Sequence, residues 1–160
     1  MTPRTAFDTP AHDRWFEDYR EGDQYLFGPV PVTEAEILDF ARRYDPQPFH
    51  TDPEAAAQGP YGGVIASGWM TAALMMRLLV EHYISTCAAL AAPGCDELRW
   101  LQPVRPGDRL WLRATIHSAR ISRSKPGQGV VVVRMEGINQ ADAVVFSCLG
   151  TGMMLRRPGA

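Results

Sequence analysis

Between Ala66 and about Ala89 the chain carries a stretch that is apolar on nearly every side when wound as a helix, with Arg77, Glu81 and Ser85 as a narrow polar stripe at i, i+4 and i+8. A helix of that kind is either buried in a core or spans a membrane. Arg77 interrupts the apolar run short of the ~20 residues that a span requires, so no membrane partner is expected. The rest of the chain must then supply the walls around a buried central helix.

Those walls follow the Pro93-Gly94 break, where the apolar period changes from 3.6 to 2 and strands are the consequence. The pattern predicts strands over Glu97 to Val104, Arg109 to His117, Val130 to Asn139 and Ala143 to Leu155, with a Pro106-Gly107-Asp108 turn and a hairpin loop at Ser122 to Gln128. Leu110, Leu112, Ala114 and Ile116 share one face. Upstream, Gln24 to Val32 reads as an edge or entry strand, because its prolines cannot donate to a central ladder. The fold class is α+β, a single domain in which a curled antiparallel sheet wraps one long helix. Residues 1–19 are expected as an N-terminal arm, loose at least to His12, with the domain over 20–155 and a tail at 156–160.

At 160 residues the chain fits one domain. A formal charge of −2 with interspersed signs offers no basic stripe, which argues against a nucleic-acid partner. Cys87, Cys95 and Cys148 are odd in number and lack metal-ligand spacing, so reduced thiols and no metal are expected. Met1 to Pro10 has no apolar core of a signal peptide, and the expected compartment is the cytoplasm.

The chemistry-bearing stretch runs from Tyr44 to Trp69. Thr33 and Glu36 form a capping box that starts a helix, and Asp45-Pro46 ends it, which places Asp45 at the helix exit. Asp52-Pro53 starts another short helix, so His50 is held between two helix ends. Pro46 and Pro48 restrict how far the Asp45 and His50 side chains can splay apart, and the pair can share one water as acid and base. A surface turn with a solvated histidine fits the same spacing. Gly68, at or near the start of the long helix, can present a bare N–H where the helix dipole is positive. Ser67 lacks the glycine two residues earlier that a nucleophile elbow uses.

These residues resemble the MaoC-like dehydratases, including the (R)-specific enoyl-CoA hydratases of the hot-dog fold. The family's Asp-x-Asn-Pro-(aliphatic)-His motif is similar to Asp45-Pro46-Gln47-Pro48-Phe49-His50, and the likeness continues through Thr51-Asp52-Pro53, Gly62 to Gly68 and Glu97 to Asp108. The resemblance implies a hot-dog homodimer or dimer of dimers with a tunnel near the interface. It implies a hydro-lyase acting on a 2-enoyl-CoA or a 3-hydroxyacyl-CoA, with Asp45 and His50 handling water and Gly68 N–H binding the thioester oxygen. Coenzyme A would enter as part of the acyl-CoA substrate, with no separate cofactor. Gln47, Pro48, Ser67 and Trp69 are the expected substrate contacts, although Gln47 stands for the usual Asn and Ser67 for a frequent His. Two alternatives remain open: a hot-dog acyl-CoA thioesterase and a non-catalytic acyl-thioester-binding subunit.

Overall fold

Alternation of side chains is realised most cleanly in β3 (Arg109–Ile121), where Leu110, Leu112, Ala114 and Ile116 are all essentially inaccessible to solvent. The computed structural model describes residues 2–159. Five strands, β1 (Gln24–Pro31), β2 (Ala89–Trp100), β3, β4 (Gln128–Ile138) and β5 (Val144–Leu155), form one antiparallel sheet in the order β1-β3-β4-β5-β2. The order leaves β1 and β2 as open edges. Register breaks in β1, β2 and β3 add twist, and the concave face closes on α4 (Gly68–Leu78). Met70, Met75 and Leu78 of α4 are buried there with Leu110, Leu112, Met135 and Val145 of the strands. Each such side chain contributes roughly 1.5–3 kcal/mol by leaving water.

Three helical segments precede α4. They are α1 (Glu34–Tyr44), α2 (Pro48–Thr51) and α3 (Pro53–Gln58). The capping box is present at the start of α1, where Thr33 Oγ1 accepts from Glu36 N–H while Glu36 accepts from Thr33 N–H. Asp52 Oδ1 accepts from the N–H groups of Glu54 and Ala55 and so caps α3.

The central helix is shorter than its apolar pattern predicts. It starts at Gly68, and after Leu78 it widens into a π-turn over Leu79–Tyr83; Ile84 is already extended. The stop comes from partners far away in sequence. Arg14 donates to the carbonyls of His82 and Tyr83, and Tyr19 Oη donates to the Tyr83 carbonyl at 2.7 Å. These bonds satisfy carbonyls that another helical turn would otherwise have used. Ser85, expected on a narrow polar stripe with Arg77 and Glu81, is buried, and its hydroxyl accepts from Cys87 and Ala88 N–H. The exposed side of α4 and its π-turn instead combines the Arg77–Glu81 ion pair with Trp69, Met76 and Val80.

Two further differences concern the strands and the N-terminus. β2 begins at Ala89, before Pro93-Gly94, and its pairing ends at Trp100 instead of Val104. The dipeptide is accommodated because β2 is an edge strand whose register skips between Ala91 and Gly94. The segment expected as a loose arm is held against the sheet. Phe7 stacks on Tyr25 with ring centroids 4.1 Å apart, and Arg4 exchanges backbone hydrogen bonds with Gln24 and Leu26. Its later part, with short 3-10 turns at Ala11–Asp13 and Phe16–Asp18, is clasped by the C-terminal arginines. Arg156 and Arg157 bond to Glu17, and Arg157 reaches Asp13 and Asp18 at 3.2 Å.

Candidate active site

Asp45 occupies the C-cap of α1, because Pro46 cannot continue the helix. Its carboxylate is fixed at both oxygens. Gln47 Nε2 donates to Oδ1 at 2.7 Å, and Oδ2 faces His50 Nε2 at 3.3 Å. His50 lies in the single turn of α2, 5% exposed, and its Nδ1 is 2.7 Å from the Ile65 carbonyl. A carbonyl can only accept, so Nδ1 carries a proton, and Nε2 is the nitrogen turned toward Asp45. The two helix ends and the proline between them thus produce one converging pair.

The carboxyl of Asp45 is held below the ordinary carboxylate range, first by the Gln47 hydrogen bond, then by the Ser67 hydroxyl and the charge of His50; partial burial opposes them. Asp45 therefore rests ionised at neutral pH.

The second half of the site is the start of α4. Ser67 is its N-cap, fully buried, with Oγ accepting from Trp69 N–H. Gly68 N–H has no acceptor among the described residues. It points out of the helix start, where the peptide dipoles sum to a positive potential. A cavity of about 430 Å³ joins the two halves. Asp45, His50, Gly68 and Trp69 line it, and Trp100 to Val104 form the facing wall.

The structure places four of the seven expected residues, Asp45, His50, Gly68 and Trp69, on the cavity. Gln47 touches it only through Asp45. Pro48 is exposed at the first position of α2, and Ser67 is buried beneath the helix start, so neither lines the cavity. Sequence reasoning did not single out Phe49, Tyr61, Thr71, Trp100 or Leu101, all of which line it. Trp100 is the one with a structural signature. A Cβ on residue 68 would lie 2.5 Å from its Cε2 and 2.6 Å from its Nε1, so only glycine admits this indole. Nothing in the spacing of the two residues, 32 positions apart and on different elements, announces that contact. Among the described residues, no group of three His, Cys, Asp or Glu side chains is disposed to hold a metal ion. No helix among the described residues is long and apolar enough to cross a membrane.

The MaoC like domain family matches residues 18–145. The MaoC-like dehydratase from Rhodospirillum rubrum is 37% identical and superposes with a TM-score of 0.84, covering 91% of this chain and 99% of that one. The 3-hydroxyacyl-thioester dehydratase Z of Mycobacterium tuberculosis is 39% identical over 104 residues, 64% of this chain and 66% of that protein. A Mycobacterium tuberculosis protein with a double hot-dog fold is 19% identical with a TM-score of 0.75, covering 95% of this chain and 47% of that one, a likeness of fold. The curled sheet with its enclosed helix is accordingly the hot-dog fold, and the chain belongs to the MaoC-like dehydratase domain family.

Proposed function

We propose that this protein is a hydro-lyase that adds water across the C2=C3 bond of a 2-enoyl thioester, or removes it from the 3-hydroxyacyl thioester. The observation that carries the reading is the Asp45–His50 pair at 3.3 Å beside an unpartnered Gly68 N–H in one cavity. In hydration, His50 Nε2 takes a proton from water as its oxygen bonds to C3. The π electrons move through C2 toward the thioester oxygen, and Asp45, protonated in that state, delivers its proton to C2. Dehydration starts from the opposite distribution, carboxylate and imidazolium. One proton shared across the pair serves both directions, and the Gln47 hydrogen bond favours the carboxylate form. Gly68 N–H stabilises the enolate-like oxygen.

The thioester handle is taken to be coenzyme A, which places the protein in cytoplasmic acyl-CoA or fatty-acid metabolism. A homodimer is part of the same proposal. β2 is a 12-residue edge whose outer backbone groups have no strand partner among the described residues, Leu90 and Trp100 on it are exposed, and Trp100 meets exposed Trp69 of α4 edge to face. A second copy of the same edge, related by a two-fold axis, pairs antiparallel with it.

The test is a panel of 2-enoyl-CoAs of varied length and branching, read by loss of conjugated enoyl-thioester absorbance and by a thiol reagent. Absorbance loss without thiol release is expected. Thiol release would make the protein a thioesterase, and binding without turnover would leave an acyl-thioester-binding subunit. Light scattering of the purified protein tests the dimer; a monomer at micromolar concentration would refute it.

A further inference from the structure

The cavity that holds Asp45 and His50 is also lined by a polar group for which the mechanism above has no use, the indole N–H of Trp100. This side chain projects from the last residue of β2, paired with Phe146 of β5, and its ring lies against the Gly68 Cα. Nε1 would stand 2.6 Å from a Cβ on residue 68. A Cβ is about 2.5 Å from its own backbone nitrogen. Trp100 Nε1 is therefore within about 5 Å of the Gly68 nitrogen. Two donors that each reach one oxygen at about 2.9 Å lie less than about 5.8 Å apart, so this separation suits a shared acceptor.

Neither donor has a partner among the hydrogen bonds of the described residues. Indole Nε1 can only donate. Both groups line the same cavity as His50 and Asp45. A phenylalanine at position 100 would fill the wall equally well and would supply no donor, so the nitrogen is the chemically informative part of the side chain.

We propose that Trp100 Nε1–H and Gly68 N–H together form a two-donor oxyanion hole for the thioester carbonyl. The inference rests on the hydro-lyase reading. As hydroxide adds at C3, the carbonyl π pair moves onto oxygen, and two N–H groups from separate elements, a strand end and a helix start, meet the charge there. The backbone donor is fixed by the helix. The indole donor is fixed by its stacking on a glycine that leaves no room for a side chain.

Trp100→Phe is the test, because it keeps an aromatic wall and deletes the donor. The expected result is a fall of about 10²- to 10³-fold in kcat with KM within about twofold, the scale for losing one oxyanion donor. A structural role would not produce the second readout. An aryl-substituted 2-enoyl-CoA bound to the wild-type protein should show a red-shifted absorbance from carbonyl polarisation, and the shift should shrink in Trp100→Phe. For a readout that needs no substitution, the indole N–H resonance of Trp100 should move downfield when a saturated acyl-CoA binds the wild-type protein. Wild-type turnover with kcat of Trp100→Phe within twofold, or an unmoved indole resonance on binding, overturns the pairing and leaves the hydro-lyase reading standing. Absence of turnover by the wild-type protein overturns both.

Discussion

Gly68→Ala separates the shape of the site from the stability of the fold. The new Cβ would stand 2.5 Å from Trp100 Cε2, whereas carbon atoms settle at about 3.5 Å or more. The indole must therefore retreat by roughly 1 Å. It lies at the end of β2 and is 44% exposed in the single chain, so it can shift without dragging the core. Overpacking in a closed core costs about 1–3 kcal/mol, and an open site belongs at the bottom of that range. Alanine also returns up to about 1 kcal/mol through its helix propensity. The net change in stability should be below about 1 kcal/mol, a shift in Tm of no more than about 4 °C for a chain of this size. Activity behaves differently, because the retreat takes Trp100 away from the helix start and the methyl crowds the approach to Gly68 N–H. A loss of roughly 10²- to 10³-fold in kcat is expected, the range set by removal of one well-placed donor. Thermal unfolding and initial rates on the same preparation check both halves. A variant that keeps wild-type kcat, or one whose Tm collapses by more than about 10 °C, would refute the reasoning.

The remaining predictions use the same structure. Asp45→Asn and His50→Ala should each reduce turnover by at least about 10²-fold while circular dichroism and Tm change little; near-wild-type rates in both variants exclude the dyad. Gln47→Met removes the donor to Asp45 Oδ1, so the acid limb of the pH–rate profile should move to higher pH, and an unmoved limb would show that Gln47 is not what depresses the carboxyl. In dehydration the Asp45 carboxylate is the base, and without the Gln47 donor its carboxyl rises toward the ordinary range and is protonated at higher pH. At the alkaline end, burial pushes the Tyr19 and Tyr25 hydroxyls up from 10.0 to about 12. Their contribution is complete below pH 10 and is lost as pH rises toward 12, so urea midpoints should fall across that window; a flat profile would contradict it. Gly129→Ala places a methyl on the ring of Phe16, and displacing that buried ring should cost on the order of 3 kcal/mol, read as a lowered urea midpoint at constant slope.

How much of this was legible in the sequence depended on whether the cause was local. Capping at Thr33 and Asp52, the stop at Asp45-Pro46 and the alternation of β3 are decided within a few residues, and each element formed where its pattern placed it. The end of α4 was not legible, because Arg14 and Tyr19 supply its caps from more than 60 residues away. Pro93-Gly94 looked like a break because the edge position that tolerates it is a property of the sheet. At the site, the spacing of Asp45 and His50 allowed either a converging pair or a surface turn with a solvated histidine, and the 3.3 Å approach of a buried His50 is the converging one. The Trp100 indole could not, since its partner is a missing side chain on another element. Gln47 was read as a substrate contact, yet the side chain turns back along the loop and bonds Asp45.

The clasp between the two ends of the described chain gives the molecule a shared fraying unit. Arg157 holds the turns at Asp13 and Asp18, and between those turns Arg14 holds the last carbonyls of the central helix. Each surface ion pair in the clasp is individually weak. Their effect lies in linkage: opening the tail loosens Asp13 to Tyr19, and loosening that segment uncaps the helix at Tyr83. The far end of the helix, at Gly68, is held by separate bonds through Ile65 and Ala66 to Phe49 and Val104. Subglobal opening can therefore start from the chain ends and consume the π-turn while the dyad and its cavity stay assembled.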